Sequence, residues 1–165
     1  MTKFHVFLSY TSREEEVKQI KPLIDIYCRD LWKWAQSKGV EIFYDDFQME
    51  KKSYSNVELE RILGDAVSRS HLMTAFLSPA YVESKWCQFE YLETRKNKKP
   101  IVHGILWKFF RLDILPFSPI AEYLMPEGET DLTYLRENPI PEELERAAKK
   151  CVEDSIKLIR SYYQI

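Results

Sequence analysis

Trp86 and Glu90 stand four residues apart within the stretch SPAYVESKWCQFEY, Ser78 to Tyr91, directly after an apolar run. Residues at that spacing share one face of a helix, so a flat aromatic plate and a carboxylate can line a single pocket. That pair could work on a small ligand, the indole by stacking and the carboxylate by its charge. Other familiar chemistries lack their residues. Four glycines form neither GxGxxG nor GxxxxGK, which excludes a Rossmann dinucleotide grip and a P-loop. Cys28, Cys87 and Cys151 are odd in number and lie far apart without a CxxC pair, so neither a disulfide framework nor a zinc site is expected, and no metal is called for. Cys87 would serve as a nucleophile only with its pKa lowered. No histidine is near it, and a small thiol packing a helix onto a sheet is the better reading. His5, His71 and His103 each fall in or beside a strand pattern, where sheet packing accounts for them.

The elements that must position Trp86 and Glu90 alternate along the chain. Phe4 to Tyr10 is apolar and β-branched enough for a buried strand, and Ser12 with Glu15 reads as a capping box opening a helix near Arg13. Val17, Ile20, Ile24, Tyr27, Leu31, Trp34 and Ala35 give that helix an apolar stripe ending at Lys38 and Gly39, with Pro22 expected to kink or split it. Val40 to Asp45 reads as a second strand, followed by a polar loop over Asp46 to Asn56. Ser55 and Glu58 form another capping box, for a helix burying Leu59, Ile62, Leu63, Ala66 and Val67.

His71 to Ser78 is a third strand, and Ser78-Pro79 should cap the helical segment that carries Trp86 and Glu90. Pro100 to Trp107 is a fourth. Beyond it the pattern weakens: a short helix between Leu115 and Pro126 and a fifth strand near Asp131 to Leu135 are expected. A last helix from about Asn138 and Pro139 shows the stripe Leu144, Ala148, Cys151, Val152, Ser155, Ile159 and Tyr162.

Alternating strands and helices imply an α/β fold with a parallel sheet, helices on both faces, and right-handed crossovers. The first three strands are almost wholly apolar, as burial on both faces requires. Ligands in such sheets bind beyond the carboxyl ends of the strands. Three connections leave those ends, Ser9 to Arg13, Asp45 to Ser55, and Ser78 to Glu90, so that Tyr10, Asp45, Asp46, Trp86 and Glu90 can converge. With 165 residues the chain is expected to be a single domain, 1–165. Net charge is −2, from 24 basic and 26 acidic residues, and no basic stripe marks nucleic acid or an anionic membrane as a partner. No apolar run approaches the roughly 20 residues of a membrane span. With reduced-looking cysteines and no signal peptide before the first strand, a cytoplasmic location is expected.

The segments FHVFLSYTSREEE, IFYDD and FLSPAYVESKWCQFEYLE, standing in that order, resemble the three signature boxes of the TIR (Toll/interleukin-1 receptor) domain family. The resemblance runs from Phe4 to about Trp107 and is most specific in the third box, at Ser78, Pro79, Tyr81, Ser84, Trp86, Cys87 and Glu90. It implies a flavodoxin-like three-layer fold with a five-stranded parallel sheet. Some members of the family are scaffolds that assemble with other TIR domains, and others cleave NAD+ between nicotinamide and ribose. The catalytic members carry a glutamate where this chain has Glu90, and many bacterial ones carry a tryptophan where it has Trp86.

The resemblance therefore implies an NAD+ glycohydrolase or ADP-ribosyl cyclase, with NAD+ as substrate and no separate cofactor. Glu90 is the expected catalytic residue. Trp86 would shape the pocket by stacking and by excluding water, with Tyr10 or Phe47 as a second aromatic surface. Arg13 is the candidate for the pyrophosphate, and Ser9 or Asp45 for polar contacts to ribose or nicotinamide. Self-association with other TIR protomers is expected. Each residue type also has an ordinary role: Asp45 can simply end a strand, and Arg13 can simply sit in a helix's first turn. The loop Asp46 to Asn56 departs from receptor and adaptor members by lacking a Pro-Gly turn and carrying Lys51 and Lys52. The chain looks more like bacterial TIR proteins of anti-phage defence. Two alternatives stand beside that reading: a non-catalytic module that self-associates through this loop, and an effector domain of a longer protein.

Overall fold

The computed structural model describes residues 2–47, 54–105 and 141–163. Within them β1 (Thr2–Ser9), β2 (Val40–Asp45), β3 (Leu72–Leu77) and β4 (Ile101–Ile105) form one parallel sheet in the order β2-β1-β3-β4. The helices are α1 (Glu14–Ser37), α2 (Asn56–Arg69), α3 (Pro79–Glu83), α4 (Lys85–Lys96) and α5 (Pro141–Tyr163). The α/β class and parallel sheet are as the sequence implies. Four strands are described; the fifth, expected near Asp131 to Leu135, the short helix near Leu115 to Pro126 and the start at Asn138 and Pro139 lie outside the described residues.

Side chains alternate across β1, which divides its residues between two cores. Phe4, Val6, Leu8 and Tyr10 pack with Ile20, Ile24, Tyr27 and Leu31 of α1 and with Ala148, Cys151 and Ile159 of α5. Phe7 faces the opposite layer, with Leu59, Leu63 and Val67 of α2, Tyr81 of α3, and Cys87 and Tyr91 of α4. Every residue of β3, LMTAFL, is buried, because this central strand is covered on both faces. Each large side chain so enclosed contributes about 1.5–3 kcal/mol of apolar burial.

Three local expectations need correction. The Ser12/Glu15 capping box does not form: α1 starts at Glu14 with Arg13 as its N-cap and no side-chain cap, which leaves Ser12 one residue outside the position the box requires, and Thr11 Oγ1 accepts the Arg13 N–H at 3.1 Å. Pro22 does not split α1, which runs unbroken from Glu14 to Ser37 with Pro22 on its exposed side. The Ser78–Pro79 cap is present, Ser78 Oγ accepting from the Tyr81 N–H, but it opens the short α3 instead of the helix bearing Trp86. That helix restarts at Ser84, whose side chain accepts from the Cys87 N–H. Ser55 caps α2 as expected, accepting from Glu58 N. The left-handed turn after α1 falls on Gly39, φ +67°, which only glycine adopts at little cost.

Candidate active site

The chain leaves β1 toward β2 on one side and reaches β3 on the other, so the carboxyl ends of β1 and β3 flank the point where strand order reverses, the ordinary crevice of open α/β sheets. Ser9 ends β1 there, α3 and α4 follow β3 there, and the two meet. Ser9 Oγ lies 3.1 Å from Glu90 Oε1 and 2.7 Å from the Tyr81 hydroxyl. Glu90 is only 1% exposed, and Ser9 and Tyr81 are fully buried. A carboxylate so enclosed is costly unless hydrogen-bonded, and Ser9 supplies one such bond from 81 residues away.

Local capping explains how α4 delivers its side chains. The break at Ser84 turns the chain, and Gln88 Nε2 donates to the Val82 carbonyl at 2.6 Å, fastening α4 to the end of α3. Trp86 then falls in the first turn of α4 and Glu90 one turn later. The Thr94 hydroxyl donates to the Glu90 carbonyl at 2.7 Å, and the Cys87 thiol donates to the Tyr10 carbonyl at 3.3 Å, so α4 is hung directly from the end of β1. Cys87 thereby has a packing role, as its sequence context suggested.

Trp86 is half-buried, edge-on to Phe89 at 6.0 Å between ring centroids, with Lys85 Nζ 5.4 Å from its own ring centre. Phe47 stacks on Phe7 at 5.9 Å, in the same layer as Ser9. Ser9, Phe47, Trp86 and Glu90 therefore belong to one side of the sheet.

The other candidates are placed elsewhere. Tyr10 does not offer an aromatic surface to Glu90: strand alternation turns it into the α1 layer, where its buried hydroxyl donates to Asp46 at 2.7 and 2.9 Å from the two carboxylate oxygens. Burial, then the hydrogen bond and charge of Asp46, push its pKa up. Asp45 looks back along the sheet, its Oδ2 3.7 Å from His5 Nδ1, and burial raises its pKa against the lowering effect of His5 and Arg69. Arg13 is exposed at the mouth and bonded to Glu83 at 3.2 Å.

Tyr81 is the site residue that reasoning on charge and spacing missed. Its signal was present, an aromatic hydroxyl inside the same signature segment, but only the fold shows that it reaches Ser9. A separate groove of about 430 Å³ between α2 and α4, lined by Val57, Glu60, Arg61, Gly64, Asp65, Phe89 and Glu93, contains neither Ser9 nor Glu90. Among the described residues no three His, Cys, Asp or Glu side chains gather as a metal-ligand set, and no helix is long and apolar enough to cross a membrane.

No protein-family model matches the chain, and no curated protein matches its sequence. Solved structures do match. The TIR domain heterodimer of RPS4 and RRS1 is similar with a TM-score of 0.53 at 10% identity, over 94% of this chain and 97% of that one. The CMP N-glycosidase BcmB of Clostridium botulinum is similar at a TM-score of 0.47 and 20% identity, over 88% of this chain and 95% of that one. The TIR domains of the activated Roq1 resistosome, which recognises the effector XopQ, give a TM-score of 0.45 and 17% identity, over 94% and 99%. The chain has a TIR-like fold.

Proposed function

We propose that the protein cleaves NAD+ at the bond between nicotinamide and ribose, with Glu90 as the catalytic carboxylate. The observation that carries this reading is a single one: Glu90 is a buried carboxylate at the carboxyl edge of a parallel sheet, held by the Ser9 hydroxyl, one helical turn after Trp86.

The chemistry suits one carboxylate. Ordinary glycoside hydrolysis needs an acid for the leaving group and a second carboxyl group for the oxocarbenium-like sugar. Nicotinamide in NAD+ is already a cationic pyridinium, so the C1′–N bond breaks with its electron pair going to the ring nitrogen, and the base departs neutral. Glu90 then stabilises the positive charge that develops at C1′ and accepts hydrogen bonds from the ribose hydroxyls. Attack by water forms ADP-ribose and releases a proton. Attack by an adenine nitrogen or a ribose hydroxyl of the same molecule forms a cyclic ADP-ribose. Trp86, by stacking and by excluding water, favours the cyclic outcome. In this reading the enzyme works in nucleotide signalling or NAD+ depletion during anti-phage defence, and it self-associates with other copies.

The test is incubation of the purified protein with NAD+ and chromatographic separation of products, beside Glu90→Gln. Nicotinamide release that falls by about 100-fold or more in Glu90→Gln is the expected result. Absence of release from the wild type at high protein concentration, or full activity in Glu90→Gln, sinks the reading.

A further inference from the structure

We infer that Tyr81 is a positioning residue, aiming the Ser9 hydroxyl at Glu90 so that the carboxylate is held in one orientation for the proposed cleavage. The inference rests on the NAD+ reading above and names a residue that reading does not use.

Counting hydrogens fixes the direction of the bonds. Ser9 Oγ carries a single hydrogen and has two partners, Glu90 Oε1 at 3.1 Å and the Tyr81 hydroxyl at 2.7 Å. An ionised carboxylate can only accept. Ser9 must then donate to Glu90, and its remaining contact requires Tyr81 to donate to Ser9. The three side chains form a directed chain, phenol to hydroxyl to carboxylate, in which each bond polarises the next.

Of the three, Tyr81 is the fixed point. It is fully buried, its N–H is bound by Ser78 Oγ at 3.2 Å and the Ser78 carbonyl at 3.0 Å, and its ring lies in the core beside Phe7, Leu77 and Cys87. A serine hydroxyl at the last position of a strand rotates freely unless something decides its direction. The 2.7 Å bond from an immobile phenol decides it. Tyr81 touches no substrate in this scheme and acts only through Ser9.

The test is a mutant cycle on the full chain, measuring kcat and KM for NAD+ by nicotinamide release in wild type, Tyr81→Phe, Ser9→Ala and the double variant, with Glu90→Gln as reference. Tyr81→Phe removes one oxygen and is expected to lower kcat by about 10- to 100-fold, with KM changed less than about twofold. Ser9→Ala is expected to lose a similar factor, and the double variant no more than Ser9→Ala alone, because the phenol has nothing left to act through. Ser9→Thr, which keeps the hydroxyl, is expected to retain activity.

Losses that multiply in the double variant, or an unchanged kcat in Tyr81→Phe, overturn the inference while Glu90→Gln still shows whether the NAD+ reading stands. A wild type that releases no nicotinamide overturns both. Should Tyr81→Phe fail to fold, 3-fluorotyrosine at position 81 keeps the ring while strengthening its donation. A kcat shifted by about twofold or more at constant KM then supports the chain, and an unchanged kcat overturns it.

Discussion

The Tyr91 hydroxyl lies 2.7 Å from His103 Nε2 in the buried layer between α4 and β4, so the helix that carries Glu90 is fastened to the sheet one residue later by a titratable partner. Burial, and then the Arg95 cation, push the His103 pKa down from the ordinary 6.5 to about 4. The unfolded chain therefore binds a proton between pH 6.5 and 4 that the folded chain refuses. Stability falls as pH is lowered through that window and levels off below it, by a total on the order of 3 kcal/mol. Asp45, with its pKa raised, contributes a slope of the opposite sign at acidic pH, so the measurement is a comparison. Denaturant titrations of wild type and His103→Gln between about pH 7 and 4 should show the wild type losing stability faster. Parallel curves would contradict this account.

Trp86 sits half-buried at the edge of the layer that holds Glu90. Under the proposed function Trp86→Ala admits water without touching the carboxylate. The expected outcome is a several-fold shift of product from cyclic to linear ADP-ribose, with nicotinamide release reduced much less than by Glu90→Gln. Product ratios from one chromatogram check it, and an unchanged ratio removes Trp86 from that role.

Tyr27 occupies the opposite layer and ties three elements together. Its hydroxyl is 2.7 Å from both Thr74 Oγ1 on β3 and Ser155 Oγ on α5, and Ser155 donates to the Cys151 carbonyl at 2.9 Å. Ser155 having spent its hydrogen, Tyr27 donates to it and accepts from Thr74. Tyr27→Phe should leave two buried hydroxyls short of a partner and cost about 1–3 kcal/mol. Urea unfolding with an unchanged m-value is the readout.

Gly104 on β4 has no room to spare. A Cβ there would come within 3.3 Å of Cys151 Sγ on α5 and 3.7 Å of Phe76 Cδ1. Gly104→Ala is expected to destabilise by about 1–3 kcal/mol through overpacking, and Cys151→Ala in the same chain should recover part of that loss. Additive losses in the double variant would show that the sulfur contact is not the cause.

How much of this was legible in the sequence depended on whether a residue's neighbours were local. The strands and the stripes of α1 and α2 were readable because their periodicities are properties of a few adjacent residues, and Ser55 announced its helix because its bond to Glu58 N spans three positions. Ser12 misled because the helix starts one residue later than the box requires, with Arg13 as its N-cap, which leaves Ser12 outside the first turn. The break at Ser84 looked like helix interior, since Val82 and Trp86 flank it without Gly or Pro. Glu90 and Trp86 stood out through their spacing, whereas the facing of Tyr10 away from them follows from its parity with Leu8 on β1. The link from Tyr81 to Ser9 crosses 72 residues, and no local pattern encodes it.

Pro22 should give α1 two lifetimes. It supplies no amide to the Lys18 carbonyl, so the ladder of the 24-residue helix is interrupted on its exposed face. Beyond the gap, Leu23, Ile24, Tyr27 and Leu31 are locked in the core. Before it, the first turns are held by Ile20 and by Glu16, whose Oε2 accepts the Ala80 N–H at 3.1 Å. Amide hydrogen exchange should therefore resolve one continuous rod into two opening units, with Glu14 to Lys21 exchanging well ahead of the segment after Leu23. That first unit follows directly on the connection that leaves Ser9 at the end of β1, so the part of α1 expected to open first is the part that borders the crevice.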